Sequence, residues 1–306
     1  MHPAWSIIFF TTVSGLGFGF STWVVFGFIE IRNIVQLIIT AGFTFCLIGS
    51  GLLSSTLHLG HPERAWRALS QWRSSWLSRE GVLSVLVLAS LTCWFLYTFR
   101  YGELPLLINI ILMTLILFTV YATAMIYASL KTVACWNQFL TPVCYLMFAI
   151  SGGMLAITWL MSIFGQPITS NVFQISLILI LITWVVKIKW WLNLDNSQSE
   201  SNLATATGLG TFGKVRSLMP PHTSENYLQK EMGFVVARKH AIKLRIISVT
   251  LGGIIPFATI LIGTSSSLLL GIILFMHLAG VFVERWLFFA EAKHIVSLYY
   301  GDTTFV

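Results

Sequence analysis

Residues 104–128 read LPLLINIILMTLILFTVYATAMIYA, a run with no charged residue. It exceeds the about 20 helical residues needed to cross a hydrocarbon core roughly 30 Å thick. Working outward, apolar runs of spanning length recur at 5–29, 35–57, 81–99, 141–164, 170–190, 243–264 and 267–292. The reading is an all-α integral membrane bundle of eight transmembrane helices, with 1–306 forming a single membrane domain. The composition agrees. Of 306 residues, 56% are hydrophobic and 9% charged, against about 25% charged in soluble domains. So few charges cannot solvate a surface in water, and the solvent is lipid.

The net charge of +7 raises the question of nucleic acid. The basic residues, however, gather in the connections between apolar runs, which is how charge sets topology beside an inner leaflet. No nucleic-acid partner is expected; membrane lipids are. Arg64, Arg67, Arg73, Arg79, Lys131 and most of the cluster from Lys187 to Arg245 lie in connections on the side of the termini. Only Arg32 and Arg100 lie in the opposite ones. Positive charge stays inside, so both termini are expected in the cytoplasm. The first run lacks a basic n-region and is too long for a signal peptide. Within it, Gly15 and Gly19 have the small-xxx-small spacing of a close helix crossing. Trp76, Arg100, Tyr101, Trp190 and Trp191 at run ends fit an interfacial belt.

Two connections are long. Residues 58–79 read HLGHPERAWRALSQWRSSWLSR and predict an interfacial connector: a short helix with Pro62 at its first position and Ala65, Trp66, Leu69 and Trp72 on one face. Residues 191–242 predict a long cytoplasmic loop for partner docking, with helical character from Ser224 to His240. A loop of this size is usually functional or disordered. Gly208, Gly210 and Gly213 match G-x-G-x-x-G spacing, but no buried strand precedes them, so the dinucleotide reading fails. Cys46, Cys93, Cys135 and Cys144 lack any clustered spacing. No iron–sulfur cluster or metal site is therefore expected in this chain, and the cysteines are expected to pack as small apolar residues.

Ionisable groups at membrane depth are functional candidates. One set brackets the connector: His58, His61, Glu63, Arg64, Arg67, Arg79 and Glu80. A quinone head needs hydrogen-bond donors and a group that exchanges protons, which a histidine and a carboxyl at the membrane surface can provide. The bland alternative is a set of interfacial ion pairs. A second set lies on the last span: His277, Glu284 and Glu291 recur every seven residues and share a helix face, with His294 close behind and Arg285 and Lys293 as possible partners. These four suggest a possible proton relay, or else an internal ion-pair network. Bis-histidine haem needs imidazoles at matched depth on facing helices. Only His277 is clearly deep, so no haem is expected.

The stretch SSTLHLGHPERAWRALSQWRSSWLSRE (54–80) resembles the signature of the DMSO reductase anchor subunit (DmsC) family. MHPAWSIIFFTT (1–12), GTFGKVRSLMPPHTSENYLQKEMGFVVARKHA (210–241) and ERWLFFAEAKH (284–294) resemble, within it, the membrane subunits of sulfite:quinone dehydrogenases, the SoeC type. The resemblance implies an anchor binding ubiquinone or menaquinone in a bacterial cytoplasmic (inner) membrane. It also implies two partners, a four-cluster iron–sulfur subunit and a molybdopterin catalytic subunit. His58 and Glu80 match the family's histidine and glutamate tied to quinol binding. DMSO reductase anchors are drawn with their termini outside, whereas the charges here put them inside, as in the sulfite-oxidising branch. The functions in contention are a sulfite-oxidising quinone-reactive anchor, an S-oxide reductase anchor oxidising menaquinol, a secondary transporter and a purely structural anchor.

Overall fold

The computed structural model describes residues 3–56, 61–196, 202–216, 218–219 and 236–295. Eight helices in it are long and apolar enough to span a membrane, and no strand occurs among the described residues. They are α1 (Trp5–Phe26), α2 (Ile34–Thr56), α3 (Trp76–Tyr101), α4 (Leu106–Ala128), α5 (Leu140–Ile163) and α6 (Ser170–Asn196). The seventh, α7, runs as Val236–Val249, a π turn at Thr250–Ile254 and Ile255–Leu261; α8 is Ser267–Ala290. A 3-10 helix at Pro62–Gln71 precedes α3.

Helix ends move from the expected positions for identifiable reasons. α1 stops at Phe26 because Gly27 adopts a left-handed conformation (φ 90°), its N–H closing on Trp23 and Val24 carbonyls. α3 begins five residues before the apolar run, since the Ser75 hydroxyl caps the Ser78 N–H. This brings Arg79 and Glu80 into the first turns of a spanning helix. α6 continues to Asn196 and α7 starts at Val236, so the long connection is shorter at both ends than 191–242. Of the helical character expected over Ser224–His240, residues 236–240 are helical; 224–235 lie outside the described residues.

α1 and α5 are mostly buried and form the centre of the bundle, while the other six spans leave most of their residues at least partly accessible. The two central helices meet backbone to backbone. A Cβ on Gly19 would lie 1.7 Å from the Ala149 carbonyl oxygen, and one on Gly153 would lie 2.2 Å from the Gly19 carbonyl carbon. Of the expected Gly15/Gly19 pair only Gly19 makes the crossing; around Gly15 the space is open. Without a hydrophobic drive between helices in lipid, such close packing carries association. α7 and α8 touch in the same way at Gly252 and Gly280.

The connector folds back on α3, with Leu69 Cδ2 2.9 Å from where a Cβ on Gly81 would sit. Trp66 and Trp72 point outward, 67% and 53% exposed. Tyr101 is exposed at the end of α3, whereas Trp190 and Trp191, expected in an interfacial belt, are buried. Both turn inward to the buried ammonium of Lys187. Cys135 and Cys144 are buried while Cys46 and Cys93 lie on exposed helix faces.

The crossing yields a paired prediction. Gly153→Val forces α1 and α5 apart, and overpacking of this kind costs about 1–3 kcal/mol or more; a lower thermal midpoint in detergent, followed by tryptophan fluorescence, is expected. Gly15→Ala, placed in open space, is expected to leave that midpoint where it was.

Candidate functional site

The connector's basic residues are held locally. His61 Nδ1 lies 3.0 Å from Glu63 Oε1 and Arg64 Nε 3.7 Å from the same oxygen, all of them exposed. Arg67 and Arg73 lie over the rings of Trp66 and Trp72. Arg79 donates to the Trp72 and Arg73 carbonyls at 3.0 and 2.7 Å and stacks on Trp76 at 4.2 Å. The connector is thereby pinned to the start of α3. His58 lies outside the described residues.

One turn further in, Glu80 is buried, 4% exposed. Its Oε1 accepts from the Thr123 hydroxyl of α4 at 3.3 Å, a hydroxyl shared with the Thr119 carbonyl at 3.2 Å. A carboxyl in this position is costly unless it is hydrogen-bonded or exchanges its proton.

The second set separates into two networks. At the membrane surface, Arg245 clamps Asp195 with two bonds of 2.6 and 2.9 Å and Glu291 with bonds of 3.1 and 2.8 Å. This ties the ends of α6, α7 and α8 together. Burial pushes the Glu291 carboxyl above its ordinary range, with Arg245 pulling the other way. His294 lies past the end of α8, where partial burial lowers its imidazole pKa. Neither Glu291 nor His294 lines the interior cavity.

Deeper in the bundle, Glu284 is fully buried between two cations: Lys187 Nζ at 2.6 Å from Oε1 and Arg285 Nε at 2.9 Å from Oε2. Lys187 belongs to α6 and is 1% exposed, so it is not one of the topology-setting loop charges. Its signal in the sequence is its position inside the run WVVKIKWW, three residues short of the run's expected end. Aromatic faces supply the remaining solvation. Lys187 Nζ lies 3.6 Å from the Trp190 ring centroid and the Arg285 guanidinium 3.8 Å from that of Tyr145, distances at which ring quadrupoles attract cations.

His277 is held by an irregularity in α7. Pro256 has no N–H, so the carbonyl four residues earlier, Gly252, loses its helical donor. The π turn closes instead through Ile255 N–H and the Thr250 carbonyl, and Gly252 O accepts from His277 Nδ1 at 2.6 Å. That bond fixes the tautomer: Nδ1 carries the proton and Nε2 presents a lone pair. Nε2 and Thr12 Oγ1 make no hydrogen bond to protein, while Tyr145 Oη and Arg285 Nη1 fall short of a full hydrogen bond and the two side chains interact with each other. Their four residues, with Thr123 and Gly152, line a cavity of about 20 Å³ between α1, α4, α5 and α8. Sequence reading did not single out Thr12, Thr123 or Tyr145, since isolated hydroxyls in spanning helices carry no distinguishing signal. Among the described residues no group of three or more His, Cys, Asp or Glu assembles as a metal site.

Eight apolar spans that enclose paired charges define a multi-pass membrane protein whose polar interior is sealed from lipid. The chain belongs to the DMSO reductase anchor subunit (DmsC) family, whose model matches residues 1–301. It is 31% identical to the C subunit of sulfite dehydrogenase from Allochromatium vinosum over 98% of this chain and 99% of that protein. No solved structure matches the chain. It is therefore a membrane anchor of a redox enzyme complex.

The buried triad gives an ordering of variant stabilities. Glu284→Gln leaves two cations without an anion, and breaking a buried pair in this way costs about 3–5 kcal/mol. Lys187→Met leaves Arg285 and Glu284 balanced. Thermal unfolding in nanodiscs is expected to show Glu284→Gln as clearly the less stable; the reverse order would contradict the assigned pairing.

Proposed function

We propose that this chain is the quinone-reactive anchor of a sulfite-oxidising complex. The observation that carries the reading is Glu80: a carboxyl buried beside a basic, tryptophan-bearing connector at the membrane boundary, in a chain of an anchor family and similar along its length to one of the subunits of a sulfite dehydrogenase. The proposed partners are an iron–sulfur subunit with four clusters and a molybdopterin subunit. The latter converts sulfite and water to sulfate, two electrons and two protons. The anchor passes the two electrons on to quinone, ubiquinone or menaquinone, which takes up two protons to become quinol. His58 holds one ring carbonyl, Glu80 delivers a proton at the head group, and His61, Arg64, Arg67 and Arg79 shape the entrance. Quinone here is a substrate that diffuses in from the lipid.

Both termini and the two long connections face the cytoplasm in this reading, in a bacterial inner membrane. The side of the bundle opposite the termini carries little free positive charge: Arg32 is paired with Glu30 at 2.6 Å. The partner docks over 58–79 and 191–242, where Phe212, Leu218 and Met219 are 80% exposed or more. An apolar side chain outside the spans and this exposed suits contact with another protein. A menaquinol-oxidising S-oxide reductase would use the same groups in reverse.

In the intact complex, Glu80→Gln and His58→Gln are each expected to lower quinone-linked turnover at least tenfold, since positioned proton-transfer groups contribute about 10²–10⁴-fold. Dye-linked sulfite oxidation, which bypasses the anchor, is expected to persist. Equal loss in both assays would indicate failed assembly, and full quinone-linked activity would remove Glu80 from the site.

A further inference from the structure

The cavity behind Glu80 is built for water. A space of about 20 Å³ holds one, provided that two to four polar partners surround it. The partners are in place and their roles are complementary. Arg285 Nη1 donates and His277 Nε2 accepts, while the hydroxyls of Thr12 and Tyr145 do either. All four atoms are buried; His277 Nε2 and Thr12 Oγ1 have no protein partner and Tyr145 has only Arg285, desolvation penalties that water in the cavity lowers. An anion fits less well, because the Nε2 lone pair faces the same space.

Thr123 connects this cavity to Glu80: its residue lines the cavity wall and its hydroxyl donates to Glu80 Oε1. Charge balance points the same way. Lys187 and Arg285 face a single carboxylate, Glu284, so the cluster holds one cation more than it holds anions. Among the described residues, the other buried carboxyl that reaches the cavity wall does so through Thr123, and it is Glu80. Tyr127, Tyr145 and Cys144 are the remaining titratable groups packed around this region.

We propose that this cavity is a hydrated proton-exchange site serving Glu80 from inside the bundle. A proton on Glu80 Oε1 passes to Thr123 Oγ1 while the hydroxyl proton of Thr123 passes to the water, and one of the water's protons passes to the lone pair of His277 Nε2, leaving Glu80 ionised and the imidazole protonated. The reverse sequence returns the proton to Glu80 and restores the Nε2 lone pair, and rotation of the hydroxyl resets Thr123. No bond other than O–H and N–H changes. Arg285 acts as a positioning residue that orients the water. The proposal rests on the quinone reading for the role of Glu80, but the existence of the water does not.

The site offers a clean perturbation at Gly152, where an added Cβ would sit 3.5 Å from His277 Nε2 and 3.1 Å from the flexible end of Leu16. Gly152→Ala therefore fills the space, and Thr123→Val removes the relay hydroxyl at constant shape. In the full complex in lipid, infrared difference spectra on quinone reduction are expected to show a confined water O–H band that shifts in heavy-oxygen water. Gly152→Ala is expected to abolish the band and Thr123→Val to keep it. Both should slow quinone-linked kcat about tenfold or more with KM unchanged, by the scale of proton-transfer contributions, and change its solvent isotope effect. Should Gly152→Ala fail to assemble, as judged by lost dye-linked activity, Thr12→Val tests the same water. Absence of the band in the parent, or parental kcat in Thr123→Val alongside an impaired Glu80→Gln, would overturn the proposal. An unimpaired Glu80→Gln with the water band present would instead remove the quinone reading and, with it, the role assigned to the water.

Discussion

Burying Glu284 between Lys187 and Arg285 is the constraint around which the interior is arranged. In a low-dielectric setting, each of these charges alone would carry a desolvation cost of several kcal/mol. Together, with Trp190 beneath the ammonium and Tyr145 beneath the guanidinium, they are stable only if α5, α6 and α8 hold one geometry. That requirement explains why Trp190 and Trp191 turn inward instead of marking the interface. It also accounts for polar space beside Arg285, because the excess cation leaves one guanidinium nitrogen short of a full hydrogen bond.

The π turn in α7 has a similar logic. A proline in the middle of a spanning helix frees a carbonyl that lipid cannot satisfy. Gly252 turns that cost into a hold on His277, fixing which ring nitrogen faces the cavity. A broken helix at membrane depth is also how secondary transporters expose ion sites. Here the freed carbonyl is already occupied by a histidine on the adjacent helix, so the irregularity orients a side chain and leaves no open ligand.

The eight spans were legible because length and apolarity alone decide what crosses a bilayer. Their ends were less so. The start of α3 lies in WLSRE, a polar stretch that a hydropathy reading assigns to the connector, and only the Ser75 cap reveals it as helix. Glu80 was readable as a candidate from its place at that boundary and from the resemblance of the surrounding motif. The stripe at His277, Glu284 and Glu291 was correct as a helix face but not as one network, since periodicity cannot tell that Glu291 meets Arg245 at the surface while Glu284 meets Lys187 inside. Lys187 was hidden by its neighbours, Lys189 and the basic loop, which made it look like a topology charge. Thr12, Thr123 and Tyr145 could not be found at all, because what singles them out is the cavity, and a cavity exists only between helices.

A cryo-electron microscopy map of the intact complex with a quinone analogue bound tests the central claim most directly. The head group is expected in a cleft lined by His58 and Glu80 on the side of the basic connections, facing the partner's nearest iron–sulfur cluster. A map with those two side chains remote from each other and from the bound analogue would contradict it.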